Sequence, residues 1–143
     1  MRVLFVDDDP QLVEINVRTL RRVFDADVEV VASVEDAVAF LHGGPVDLVI
    51  TDIFIPLGPS PRGALGPRAR HYEDTVQHLG GLVLLDEIDR LDLPPQVITH
   101  TACTDFALLQ ILGERVAGRL PKPCPADTLL RAVARALDLP VLS

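Results

Sequence analysis

Short apolar runs alternate with segments of helical periodicity along the chain. Val3 to Val6 is continuously apolar, the pattern of a strand covered on both faces. Pro10 opens a helix through about Phe24, with Leu12, Ile15, Leu20 and Val23 near one face. Val28 to Ala32 reads as the second strand. Ser33 caps the next helix, and Asp36 at its third position completes a box-like start. Gly43-Gly44-Pro45 ends that helix. Val46 to Thr51 is the third strand. Pro94-Pro95 breaks the chain before Gln96 to Thr101, the fourth strand. Asp105 to Ala117 predicts a helix with Phe106, Leu109 and Leu112 as its buried stripe. Arg119 to Pro121 makes a short fifth strand. Ala126 to Leu137 is a last helix, with Leu129, Leu130, Val133 and Leu137 facing inward.

This alternation predicts βαβ units in an α/β fold. The right-handed crossover rule leaves few topologies. The leading one is a flavodoxin-like, doubly wound, five-stranded parallel sheet of order 2-1-3-4-5 with five helices. One segment breaks the rhythm. From Leu57 to Leu79 the first half is rich in Gly and Pro, while from about Arg70 Tyr72, Val76 and Leu79 fall on one helical face. So long a connection is uncommon where βα loops usually take about 2–6 residues. No repeat or heptad pattern is present.

Composition narrows the classes. The 143 residues predict one domain, and 48% apolar content provides a core. No apolar run reaches the length of a membrane span. Met1-Arg2-Val3 leads straight into a strand, so no signal peptide and a cytoplasmic location are expected. Cys103 and Cys124 lack metal spacing and read as reduced thiols. A net charge of −8 argues against nucleic acid as a direct partner. It suits a protein that binds a divalent cation or meets basic protein surfaces; it also simply keeps a small domain soluble.

Ligands on such a sheet sit at the carboxyl ends of the strands. There the chain places Asp7, Asp8 and Asp9 after the first strand, Asp52 after the third, and Lys122 before Pro123 after the fifth. Clustered carboxylates repel one another and need a cation or raised pKa values. An all-oxygen set with few protein ligands suits Mg²⁺. Asp9, directly before Pro10, is placed to cap the first helix instead.

The chain resembles the receiver domain of two-component response regulators. The resemblance rests on Val6-Asp7-Asp8-Asp9-Pro10, on Asp52 with Pro56 four residues on, on Thr101-Ala102 at a strand end, and on Lys122-Pro123. It covers the chain apart from Leu57–Leu79. It implies that Asp52 is the nucleophile that takes a phosphoryl group from a phosphohistidine supplied in trans. Mg²⁺ would be bound directly by Asp8 and Asp52, through water by Asp7, and by the backbone carbonyl of Phe54. Lys122 and the Thr101 hydroxyl would each meet a phosphoryl oxygen, and a cis Lys122–Pro123 bond would aim the lysine. His100, beside Thr101, reads as a buried or edge histidine and not as a phosphodonor.

The implied function is a phosphoacceptor signalling protein of a two-component or phosphorelay system, a stand-alone regulator that is not a turnover enzyme. Its partners would be a histidine kinase or phosphotransfer protein, docking near Val13 and Val17, and a downstream protein target. It would be a monomer or weak homodimer, with no membrane insertion. A phosphorylation-independent binding module on the same fold is the alternative. An aspartate-nucleophile phosphatase wants a second Asp where this chain has Phe54. A flavin protein wants a phosphate-cradling loop where it has three acids.

Two features depart from the family. Arg119 stands where receivers carry a switch aromatic, either exposed or paired with an acid in one state. The path from Asp52 to Gly81-Leu82, which opens the third helix, exceeds the family's by roughly twenty residues. It carries Arg62, Arg68, Arg70, His71 and His78, and a lid, a docking surface and a tolerated insertion all remain open readings.

Overall fold

The computed structural model describes residues 1–55, 80–102, 116–122 and 124–139. The expectations for Leu57–Leu79, for most of the helix at 105–117, for Cys103 and for the geometry at Pro123 lie outside these residues.

Five strands form one parallel sheet: β1 (Arg2–Val6), β2 (Asp27–Val31), β3 (Leu48–Thr51), β4 (Gln96–Thr101) and β5 (Gly118–Pro121). Their spatial order is β2-β1-β3-β4-β5, as the alternation predicts. The described helices are α1 (Pro10–Phe24), α2 (Val34–His42), α3 (Gly80–Asp89) and α4 (Ala126–Ala136). That is four among the described residues against five expected.

The continuous apolar strands are explained by two cores, one on each face. Leu4, Val6, Val49 and Val97 pack with α2 and α3 through Ala37, Leu82, Leu85 and Ile88. Val3, Phe5, Leu48, Ile50 and Ile98 pack with α1 and α4 through Val13, Val17, Leu20, Leu129 and Val133. Alternate residues of one strand thus enter opposite cores, and a polar residue on either side would be buried.

Local signals hold in part. Ser33 Oγ accepts the Asp36 N–H at 3.2 Å, so the predicted cap of α2 forms. Asp9 occupies the N-cap position of α1 without a side-chain cap. The reason is local competition. Pro10 has no N–H, and the Leu12 N–H is taken by the Asp9 carbonyl at 3.1 Å.

The inward face of α1 is also corrected. Val13, Asn16, Val17, Thr19 and Leu20 are buried, whereas Leu12 and Ile15 are 68% and 73% exposed. Spacing alone admitted either stripe, because Asn16 and Thr19 are polar and Leu12 and Ile15 are not. Thr19 enters the buried face by donating its hydroxyl to the Ile15 carbonyl at 2.8 Å. Val13 and Val17, near which a partner was expected to dock, are themselves buried. On α4, Leu129 and Val133 are buried as expected, while Leu130 and Leu137 are half-buried.

Candidate functional site

The strand ladders bring the carboxyl ends of β1, β3, β4 and β5 into line. Val6 pairs with Thr51, Thr51 with Thr99, and Thr101 with Pro121. Hydrogen bonding continues one residue past the strands. The Asp7 N–H donates to Val31, the Asp52 N–H to Val6 and the Lys122 N–H to Thr101, at 3.0, 3.1 and 3.2 Å. Backbone pairing, rather than a flexible loop, thus fixes where these three side chains start.

The charged groups converge. Lys122 Nζ lies 2.5 Å from Asp7 Oδ2 and donates to Asp52 Oδ2 at 2.7 Å. Asp52 Oδ1 accepts the Phe54 N–H at 3.1 Å. Asp7 Oδ1 accepts the Asp9 N–H at 2.9 Å. Asp7 is wholly buried, and Asp52 and Thr101 are nearly so. Among the described residues Asp7 Oδ2 has no aligned hydrogen-bond donor and is held by the ammonium's charge.

Burial is the largest influence on Asp52 and pushes its pKa up. The Lys122 hydrogen bond, the Phe54 N–H, the Thr101 hydroxyl and the lysine's charge together outweigh it, so the carboxyl titrates below its usual range. For Lys122, burial lowers the pKa, and the two carboxylates reverse this and raise it. His100 is lowered, first by burial and then by Lys122, against the smaller pull of Asp7 and Asp52. Its ring meets Phe5 edge-on at 5.7 Å.

The expected residues divide. Asp7, Asp52, Thr101 and Lys122 come together at one crevice. Asp8 is exposed, and no three His, Cys, Asp or Glu side chains among the described residues are grouped to hold a metal. Phe54 contributes its N–H to Asp52 and leaves its ring 41% exposed. Arg119 is exposed on β5, the first of its two expected placements.

One support was not foreseen. The Gly80 and Gly81 N–H groups donate to the carbonyls of Ile55 and Ile53, at 3.0 and 2.9 Å. A Cβ on Gly81 would lie 2.6 Å from the Asp52 carbonyl oxygen, and one on Gly80 2.2 Å from that of Ile55. The N-terminus of α3 therefore rests on the backbone that carries Asp52. The Gly80-Gly81 pair was the visible signal, since only glycine admits such an approach.

No protein-family model and no curated protein matches the chain. Solved structures do. A signal receiver domain from Vibrio parahaemolyticus is 25% identical, with a TM-score of 0.73 over 96% of this chain and 89% of that one. A CheY-like receiver domain protein from Methanospirillum hungatei JF-1 is 20% identical, with a TM-score of 0.74 over 96% and 93%. The fold is that of response-regulator receiver domains. A third receiver, the non-phosphorylated HemR domain from Leptospira biflexa, is 21% identical, with a TM-score of 0.73 over 99% and 98%. In this receiver fold the crevice at the ends of β1, β3 and β5 holds the two buried acids and the lysine. No described helix is long and apolar enough to cross a membrane.

Proposed function

We propose that the chain is a phosphoacceptor of a two-component or phosphorelay system, with Asp52 as acceptor. The observation that carries this is the buried Asp52 carboxylate bonded to Lys122 at 2.7 Å, with Asp7 on the same ammonium. Asp52 is ionised at neutral pH, as its lowered pKa requires, and the carboxylate is the form that attacks phosphorus. An Asp52 oxygen forms a bond to phosphorus as the P–N bond of a phosphohistidine breaks, and the electron pair leaves on the donor's imidazole. Lys122 passes from the carboxylate to a phosphoryl oxygen, and Thr101 donates to another. The chain modifies its own side chain and is not a turnover enzyme on this reading.

The donor set suits a hard divalent cation. Two buried carboxylates converge on a single ammonium, so the acids outnumber their cation. Asp7, Asp52 and the exposed Asp8, once turned inward, would hold Mg²⁺ with the Phe54 carbonyl. A bound Mg²⁺ would neutralise charge on the transferring group. The donor would be a histidine kinase or phosphotransfer protein, and output would go to a protein target. Acetyl phosphate with Mg²⁺ should label the wild type and not Asp52→Asn; labelling that survives the substitution sinks the acceptor assignment.

A second reading, a binding module that works without phosphorylation, is favoured by the exposure of Asp8 and Arg119. It expects no Mg²⁺-dependent spectral response to beryllofluoride, which mimics the acyl phosphate. The phosphoacceptor reading expects one.

A further inference from the structure

A groove of about 280 Å³ lies between β5 and α4 at the edge of the sheet. Arg119 lines it from β5, and Thr128, Arg131 and Arg135 line it from α4. Gly118 and Ala132 also line it, and their small side chains leave it open. None of the acids that line the crevice, nor Thr101 or Lys122, borders it.

The three arginines are exposed and poorly matched with acids. Arg131 has Asp127 at 3.5 Å, one turn away on its own helix, with both side chains largely in solvent. Such a pair is worth only about 0–1 kcal/mol. Arg119 and Arg135 have no ion pair or hydrogen bond among the described residues. In a chain of net charge −8, guanidinium groups gathered on one groove run against the average surface. Arg119 was expected to be exposed or to pair with an acid in one state. The structure shows it exposed, and no described residue offers it an acid.

We propose that this groove docks an acidic segment of a partner protein, whose carboxylates pair with Arg119, Arg131 and Arg135. A guanidinium meets a carboxylate with two parallel hydrogen bonds and gives up its water readily. Arg131 and Arg135 stand four residues apart on a helix, a rise of about 6 Å. Carboxylates two residues apart on an extended segment span about the same distance.

The other occupants fit less well. The volume falls below the roughly 300–1,000 Å³ of small-molecule sites. The net charge of −8 opposes nucleic acid. Anionic membranes are met by clusters of about four to eight basic residues. Here there are three arginines, and none of the large exposed apolar residues of the described chain lines the groove. The docking does not rest on the phosphoacceptor reading, and binding is read on the unphosphorylated chain.

The test is an NMR titration of the full chain at low ionic strength with an alternating Glu-Ala peptide of about twelve residues. Its Gln-Ala counterpart is run in parallel. The acidic peptide should move the Gly118, Leu120 and Ala132 amides, and added salt should weaken it. The glutamine peptide should move none of them. Arg119→Gln combined with Arg135→Gln should weaken binding about tenfold, while Arg18→Gln on α1 should leave it unchanged. Thermal unfolding checks that the double variant is folded; should it not be, Arg119→Gln alone carries the comparison. Equal binding of the glutamine peptide, an affinity untouched by the variants, or shifts confined to α1 would overturn the proposal. Phosphatidylserine vesicles that bind the chain through these arginines more tightly than the peptide would assign the groove to a membrane surface instead. A dimer in sedimentation that the double variant loses would assign it to a second copy, and either result would overturn the proposal.

Discussion

Lys122 carries one positive charge and faces two buried carboxylates, so this trio keeps a net negative charge in the folded chain. Removing the ammonium leaves both acids without their cation in a largely buried site. Lys122→Met should therefore cost about 1–3 kcal/mol at neutral pH, measured by urea unfolding. The pH dependence follows from Asp52. Its folded pKa lies below the usual 3.8, so its contribution is fully present above that value and fades as pH falls through the folded pKa. The lysine is the main counterweight to burial, so the gap between wild type and Lys122→Met should narrow below about pH 4. A gap unchanged by acid would mean that the lysine stabilises through packing. At this scale the sequence was informative about types more than about pairings. Asp7 was read as an acid of the crevice, and the ion pair it makes with Lys122 was not foreseen. Asp9 was expected to cap and does not, because proline removes one donor and the backbone takes another.

Between elements, the decisive contact is the seating of α3 on the backbone of Asp52 to Ile55. Gly81→Ala must push a methyl to 2.6 Å from backbone atoms on both Asp52 and Ile53. A cost of about 1–3 kcal/mol is expected from such overpacking, together with movement of the Phe54 amide resonance. Gly118→Ala is the control: among the described residues its Cβ would meet only the Ile98 side chain, at 3.7 Å, and the change should alter stability by no more than about 0.5 kcal/mol. Equal costs would deny the glycine pair its special role. Helix α1 supplies a second comparison. Val13→Ala should lose about 1–3 kcal/mol, whereas Leu12→Ser and Ile15→Ser should stay within about 0.5 kcal/mol of wild type, by thermal unfolding. These helices show where periodicity ran out. Leu12, Ile15, Leu20 and Val23 fit one stripe, yet Leu12 and Ile15 face out while Asn16 and Thr19 turn inward with Val13, Val17 and Leu20. Thr19 is admitted to the buried face by a bond within its own helix, to the Ile15 carbonyl, which apolar spacing does not reveal.

For the whole molecule, strand order and the position of the crevice were legible because several signals agreed. Apolar runs without alternation, each ended by an acid or followed by a turn, admit burial on both faces and little else. The crossover rule then set the order. What was not legible is how neighbouring surfaces meet: the edge-on packing of His100 on Phe5, and the cavity between α1 and the start of α4. Both depend on atoms brought together from distant parts of the chain, and no local pattern carries them.

The sheet order has a kinetic consequence. β1 and β3 are central strands, and Val3 to Val6 and Leu48 to Ile50 are fully buried between two cores. β5 lies at the edge, bonded to β4 alone among the described strands, with Arg119 and Pro121 exposed. Amide hydrogens of β1 and β3 should then exchange with solvent only when the entire chain opens, while those of β5 should exchange through smaller, more frequent fluctuations. Native-state exchange at low denaturant would show it, and equal protection across the sheet would refute it. On that expectation the carboxylates would be anchored in the slowest-opening strands, and their counter-charge would arrive on a faster one. Transient release of the edge would uncover Asp7 and Asp52 without unfolding the strands that hold them.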